Sequence, residues 1–191
     1  RKSKLKSKIS EILIGLGFLE TSSFHLITPE EAKIIKITNY MEVANSRVDY
    51  KILRQDLLTP SLRILSENKD NEYPQKFFEI GTVFLRDTDK KTETSVKEED
   101  HLVIVASPSN FTGLKQILDY LISSISLSYE LKESVNQYFI EGRTGLVIIN
   151  KNATGYIGEI NPEKLKDWNI RIPASAIEIS LEDIYDIFSK K

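Results

Sequence analysis

Apolar residues at Leu5, Ile9, Ile12, Leu13 and Leu16 recur at i, i+4, i+7, i+8 and i+11, which places one stripe on a helix from about Lys2 to Leu16. Gly15 or Gly17 supplies its stop. Phe18 to Ile27 alternates imperfectly and is rich in Phe, Thr and Ser, which predicts a strand. Thr28-Pro29-Glu30-Glu31 carries a Thr cap, a Pro at the first helical position and a Glu at the third, so it opens a helix. That helix is expected to be short, because the β-branched run Ile34-Ile35-Lys36-Ile37 reads as a strand. Residues Asn39 to Asp49 are polar and irregular and form a connection. Thr59-Pro60 repeats the cap-then-proline start of a helix carrying Leu62 and Leu65, which Asn68-Lys69-Asp70-Asn71 ends. Phe77, Phe78, Ile80, Val83, Phe84 and Leu85, with Gly81 among them, predict a strand buried on both faces.

From Arg86 to Asp100 four basic and six acidic residues surround one aliphatic, Val96, so this stretch is expected to be a mobile hairpin loop outside the core. His101 to Ser107 returns to a strand, and Leu114, Ile117, Leu118, Leu121, Ile122 and Ile125 trace a second helical stripe. Tyr129 to Ser134, Gly145 to Asn150 and Tyr156 to Ile160 read as strands, the last two joined by a turn at Lys151-Asn152-Ala153. Asn161-Pro162-Glu163 opens a short helix ending at Trp168, and a strand from Ala174 to Ser180 precedes a helix from Leu181 to Phe188. These strands and helices, without regular βαβ alternation, predict an α+β fold: a mostly antiparallel sheet flanked by helices.

Composition narrows the function classes. A chain of 191 residues with 40% hydrophobic and 28% charged side chains fills one core, read here as a single domain over 1–191. Lys and Arg number 26 against 28 Asp and Glu, a net charge of -2, which excludes a general nucleic-acid binder and requires any RNA contact to be local. The absence of cysteine excludes disulfides and thiolate metal sites and suits a reducing, cytoplasmic setting. No apolar run reaches the ~18 residues that would cross a bilayer, so no membrane contact is expected. The single methionine is Met41, so the chain reads as a piece of a longer polypeptide.

Candidate chemistry is sparse. His25 and His101 lie in predicted strands without a companion at telling spacing and read as structural. GxGxxG, GxxxxGK[ST] and HExxH patterns are absent. Glu178 and Glu182 fall at a strand end and a helix start, where capping and the helix dipole explain them. Arg1, Lys2, Lys4, Lys6 and Lys8 form either a solvated helical face or a patch that contacts phosphates. Trp168 is expected to pack against the sheet.

Several segments, in order, resemble one family. They are Gly15-Leu16-Gly17-Phe18-Leu19-Glu20-Thr21-Ser22-Ser23-Phe24, the run from Leu53-Arg54-Gln55-Asp56 to Asn68, and Phe77-Phe78-Glu79-Ile80-Gly81-Thr82-Val83-Phe84. Downstream follow Gly142-Arg143, Gly155-Tyr156-Ile157-Gly158-Glu159-Ile160-Asn161-Pro162 and Ala176-Ile177-Glu178-Ile179-Ser180-Leu181-Glu182. Together they resemble the C-terminal catalytic-like module of the phenylalanine–tRNA ligase β subunit, archaeal and eukaryotic branch. The resemblance implies the class II aminoacyl-tRNA synthetase fold. It also implies a heterotetrameric α2β2 holoenzyme that uses ATP and Mg to charge tRNA(Phe), with the editing module upstream of Arg1.

The family pattern also shows what is missing. Class II catalytic domains place an Arg two residues before the Glu of their second motif to grip the ATP α-phosphate; here that Glu is Glu79 and the residue is Phe77. Their third motif brings Gly and Arg to a strand-to-helix junction that here reads Glu178-Ile179-Ser180-Leu181-Glu182-Asp183. Losing one such donor costs ~10²–10³ in rate, so the resemblance implies no catalytic residue and no cofactor in this domain, and a role as scaffold for the catalytic α subunit. A stand-alone binding domain, or a degenerate nucleotide pocket lined by Arg54, Arg63 or Arg143, is the alternative. The subunit interface is expected on Leu5, Ile9, Ile12, Leu13 and Leu16, with self-association of the isolated chain as another use of the same stripe.

Overall fold

The computed structural model describes residues 1–44, 46–88 and 95–189. Its centre is a seven-stranded sheet in the order β1-β4-β5-β9-β8-β7-β6, formed by β1 (Leu19–Glu20), β4 (Gln75–Arg86), β5 (Val96–Ser107), β9 (Ser175–Ser180), β8 (Asn152–Ile160), β7 (Phe139–Ile149) and β6 (Glu130–Glu133). Only β1 runs parallel to its neighbour, and every other pair is antiparallel. A two-stranded sheet, β2 (Leu26–Ile27) with β3 (Ile52–Leu53), stands beside it. The α+β expectation is met.

Alternation along the strands separates two apolar layers. On one face Phe78, Leu102, Ile104, Ile177 and Ile179 pack against α1 (Lys2–Gly15), α4 (Phe111–Ser124) and α6 (Glu182–Ser189). On the other, Phe77, Val103, Val105 and Ala176 meet α2 (Pro29–Ile34), α3 (Leu58–Glu67) and α5 (Pro162–Asp167). Consecutive residues such as Phe77 and Phe78 thus serve opposite cores, and Trp168 packs in the second.

Local chemistry explains most boundaries. Thr28 and Glu31 form a reciprocal capping box on α2, Asn110 Oδ1 accepts from Gly113 N at 2.9 Å on α4, and Asn161 Oδ1 accepts from Glu163 N at 2.9 Å on α5. Asn150 and Lys151, at φ of 52° and 67°, make the tight β7–β8 turn, one residue earlier than its predicted position.

Four expectations need correction. The predicted strand Phe18 to Ile27 is split into β1 and β2 by residues 21–25, whose backbone turns toward Glu79. Ile34 to Ile37 is a helix end rather than a strand: Lys36 takes a φ of 55°, and Ile37 N donates back to Ala32 O at 3.0 Å. Val96 to Asp100, predicted as loop, belongs to β5, where pairing with residues 82–86 of β4 supplies order that its apolar content does not. Arg86 likewise closes β4, and Asp87 N donates to Ser95 O at 2.9 Å, while 89–94 of that predicted mobile loop lie outside the described residues. Thr59 does not cap α3; the helix begins at Leu58, for a reason given by the site below.

Candidate functional site

Cross-strand register assembles the site. Gly81 on β4, His101 on β5 and Ser180 on β9 lie in one row, and Glu79, Val103, Glu178 and Tyr156 in the next. Their side chains point to the face covered by α3. Above them lies a cavity of about 410 Å³, lined by Asp56, Glu99, His101, Tyr138 and Glu178 among polar groups and by Leu58, Leu85, Phe139 and Leu146 among apolar ones.

Glu178 holds the arrangement together. Its Oε1 accepts from Leu57 N at 2.8 Å and its Oε2 from Leu58 N at 2.9 Å, so a carboxylate from β9 satisfies the free amides and positive end of α3. Asp56 Oδ1 takes the next amide, Thr59 N, at 2.8 Å. Thr59 Oγ1 instead pairs with Tyr138 Oη at 2.8 Å, and Tyr138 Oη donates to Asp56 Oδ2 at 2.7 Å.

His101 is not the solitary imidazole expected from the sequence. Its Nδ1 lies 2.8 Å from Glu178 Oε1, and its Nε2 lies 3.5 Å from Glu99 Oε2. Burial opposes the charged ring, but the hydrogen bond to Glu178 and the ion pair with Glu99 outweigh it and push the pKa up to about 9. The bond to His101, reinforced by Lys97 and working against burial, holds Glu99 down at about 2. Asp56 moves the other way: burial first, then the Glu178 charge, raise it to about 6 despite the bonds from Tyr138 and Thr59. Glu99 is two residues from His101 on the same strand face, a spacing the alternation of β5 already displays. Glu178 is not legible locally, because only the strand order brings it near.

A second buried centre braces the same face. Arg54 and Glu79, 1% and 3% exposed at their side chains, pair at 2.8 Å. Arg54 Nε also donates to Thr82 O at 2.8 Å, and Ser23 Oγ donates to Glu79 Oε2 at 2.6 Å. Gly81 is required here, since a Cβ would lie 2.5 Å from Arg54 Nη2.

The cations of the alternative nucleotide pocket are committed elsewhere. Arg63 is on Glu31 at 2.7 Å, Arg143 is on Glu159 at 2.6 Å, and Arg54 is on Glu79. No Lys or Arg is among the described residues that line the cavity. The predicted site position Phe77 is buried core, and Phe139 lies so close over Gly158 that a Cβ there would be 2.6 Å from the ring. Of the predicted helix-end acids, Glu178 caps α3 rather than α6, while Glu182 accepts from Asp100 N at 3.1 Å and from Lys2 Nζ at 3.0 Å. His25 is exposed and stacks edge-on to Phe84, apart from this network.

The predicted interface stripe faces inward, which corrects that expectation. Leu5, Ile9 and Leu13 are 4%, 1% and 0% exposed, and Ile12 and Leu16 pack partly buried against the same cluster. The stripe is consumed by α1's own contact with the sheet. The side chains left outward in this region are Ile14, Leu19 and Phe24, 55%, 69% and 59% exposed.

Comparison with known proteins places this geometry. Residues 1–181 match the family model of the phenylalanyl tRNA synthetase beta chain CLM domain. The chain is 34% identical over 186 residues to the phenylalanine–tRNA ligase beta subunit of Pyrococcus furiosus, covering 93% of this chain and 33% of that one. It is 31% identical over 178 residues to the corresponding subunit of Methanocaldococcus jannaschii, covering 91% and 32%. It therefore spans about a third of the length of these curated relatives. In fold it is similar to the pyrrolysyl tRNA synthetase of Desulfitobacterium hafniense, with a TM-score of 0.78 at 16% identity over 98% of this chain and 69% of that one. The fold agrees with the sequence match, and the chain belongs to the family of phenylalanyl-tRNA synthetase β-chain CLM domains.

Proposed function

We propose that this domain is the non-catalytic scaffold of the β subunit, holding the catalytic α subunit within an α2β2 ligase that charges tRNA(Phe) in the cytoplasm. The observation that carries the reading is the chemistry of the sheet face. Phe77 and Phe139 fill core volume, and the adjoining cavity presents Asp56, Glu99 and Glu178 with no Lys or Arg among its described lining residues. These residues do not fit ATP, because a triphosphate and its Mg need converging positive donors that also serve the transition state. ATP and Mg accordingly belong to the holoenzyme's α subunit, and binding to this domain contributes position rather than chemistry. Among the described residues no helix is long and apolar enough to cross a membrane.

The docking surface for the α subunit is the α1–β1 edge. β1 is a two-residue edge strand whose Leu19 is 69% exposed, and Ile14 on α1 is 55% exposed. Ser10 Oγ ties α1 to β1 through Glu20 Oε1 at 3.1 Å, so a partner meets one firm surface. Co-expression with the α subunit followed by size-exclusion chromatography tests this. The wild-type chain is expected to co-elute with α, and Ile14→Lys combined with Leu19→Lys to elute alone with an unchanged circular dichroism spectrum. Co-elution of the double variant would move the interface elsewhere.

A further inference from the structure

The five cations at the start of α1 are not equivalent. Lys2 Nζ lies 3.0 Å from Glu182 Oε2 and 4.5 Å from the Tyr185 ring centroid, and Lys6 Nζ lies 2.8 Å from Asp100 Oδ2, so these two hold α1 to α6 and β5. Arg1, Lys4 and Lys8 lie on the other side of the helix, all exposed. Arg1 Nη1 donates to the Ser189 carbonyl at 2.6 Å. None of the three has an acidic partner among the described residues. They rim a shallow basin of about 460 Å³ floored by buried Leu5 and walled by the partly buried Phe188. At the helical rise the three span about 10 Å along the axis.

We infer that Arg1, Lys4 and Lys8 on the outward face of α1 bind the phosphodiester backbone of RNA. A protein partner draws its affinity from apolar and aromatic anchors. The exposed large apolar side chain of α1 is Ile14, nearly two turns beyond Lys8 and next to the other surface already described. A polyanion needs no such anchor, because neutralised phosphates release counterions and supply the free energy directly. The contact positions RNA and reads no base, since the Phe188 ring that also lines the basin packs partly buried against the first core and three cations alone set no bidentate pattern. With 26 cations against 28 anions the chain offers RNA no general attraction, so a locally unpaired cluster decides where RNA approaches. The inference rests on the tRNA-ligase reading only for which RNA is bound.

The test uses the complete β chain assembled with its α subunit, with labelled tRNA binding followed by fluorescence anisotropy over a series of KCl concentrations. Each phosphate contact contributes about 0.7 to 0.9 to the slope of log affinity against log salt. The variant combining Lys4→Gln and Lys8→Gln is expected to flatten that slope by about 1.4 to 1.8 and to weaken binding about 25- to 60-fold at 0.1 M salt. Lys2→Gln, whose ammonium is already on Glu182, leaves the slope unchanged. An unchanged slope in the double variant overturns the inference. So does a double variant that loses the α subunit on size exclusion while its RNA slope holds, which would make the face a protein contact. If the wild-type chain never assembles with α, the scaffold reading fails by itself, and the same titration on the β chain alone decides the RNA contact.

Discussion

Replacing Arg54 with Met tests how the sheet face is held. The substitution keeps the aliphatic length and removes the guanidinium, leaving Glu79 buried with only the Ser23 amide and hydroxyl for partners. It also orphans the Thr82 carbonyl that Arg54 Nε serves at 2.8 Å. Removing one partner of a buried pair costs about 3–5 kcal/mol, and a domain's whole stability is about 5–15 kcal/mol. At about 2–4 °C per kcal/mol for a chain of this size, the melting temperature should fall by about 6–20 °C. The second half of the experiment separates charge from shape. Replacing Glu79 with Leu in the same chain removes the uncompensated carboxylate, so the double variant should be more stable than Arg54→Met alone by about 2 kcal/mol, although Ser23 then loses its acceptor. Urea unfolding followed by circular dichroism gives all three differences. A loss under about 1 kcal/mol for Arg54→Met, or a double variant worse than the single, would refute the claim that this pair is an electrostatic keystone.

The pH dependence follows from His101. Its folded pKa of about 9 exceeds the ordinary 6.5, so its stabilisation is complete below pH 6.5 and is lost as pH rises through 9, a change of about 3 kcal/mol. The stability gap between wild type and His101→Gln in urea titrations should therefore close between about pH 6.5 and 9, and a constant gap would dismiss the charged imidazole. Gly155→Ala should destabilise severely, by about 3 kcal/mol or more, because its Cβ would lie 1.9 Å from the Glu178 carbonyl, where β8 and β9 are backbone on backbone. A melting temperature within a degree or two of wild type would show that the strands can separate without loss.

What was legible in the sequence divides along the range of the forces. α1 and α4 announce themselves through apolar spacing, and α2 through a capping box whose two partners are three residues apart. α3 was misread at its start because its amides are served by Glu178, 121 residues away from Leu57. The inward burial of Leu5, Ile9 and Leu13 was equally hidden: a stripe records that a helix has an apolar face, and only the sheet decides what fills it. The Phe at position 77 is the more readable feature, since its place is fixed by motif spacing and it packs as core. The His101, Glu99 and Glu178 cluster required strand order that no local pattern encodes.

The packing of Phe77 and of Phe139 against Gly158 makes this face hard to recharge. A chain that regained an arginine at position 77 by one substitution would insert a cation into an apolar layer with no counter-charge ready for it, at about 3–5 kcal/mol. Clearing the Phe139 ring alone would open a void costing about as much. Either first step removes a large part of the stability available to a domain. Drift can therefore change the surface of this module freely, while the apolar layer holding Phe77 and Phe139 is closed to single charged substitutions and acts as a ratchet on its own composition.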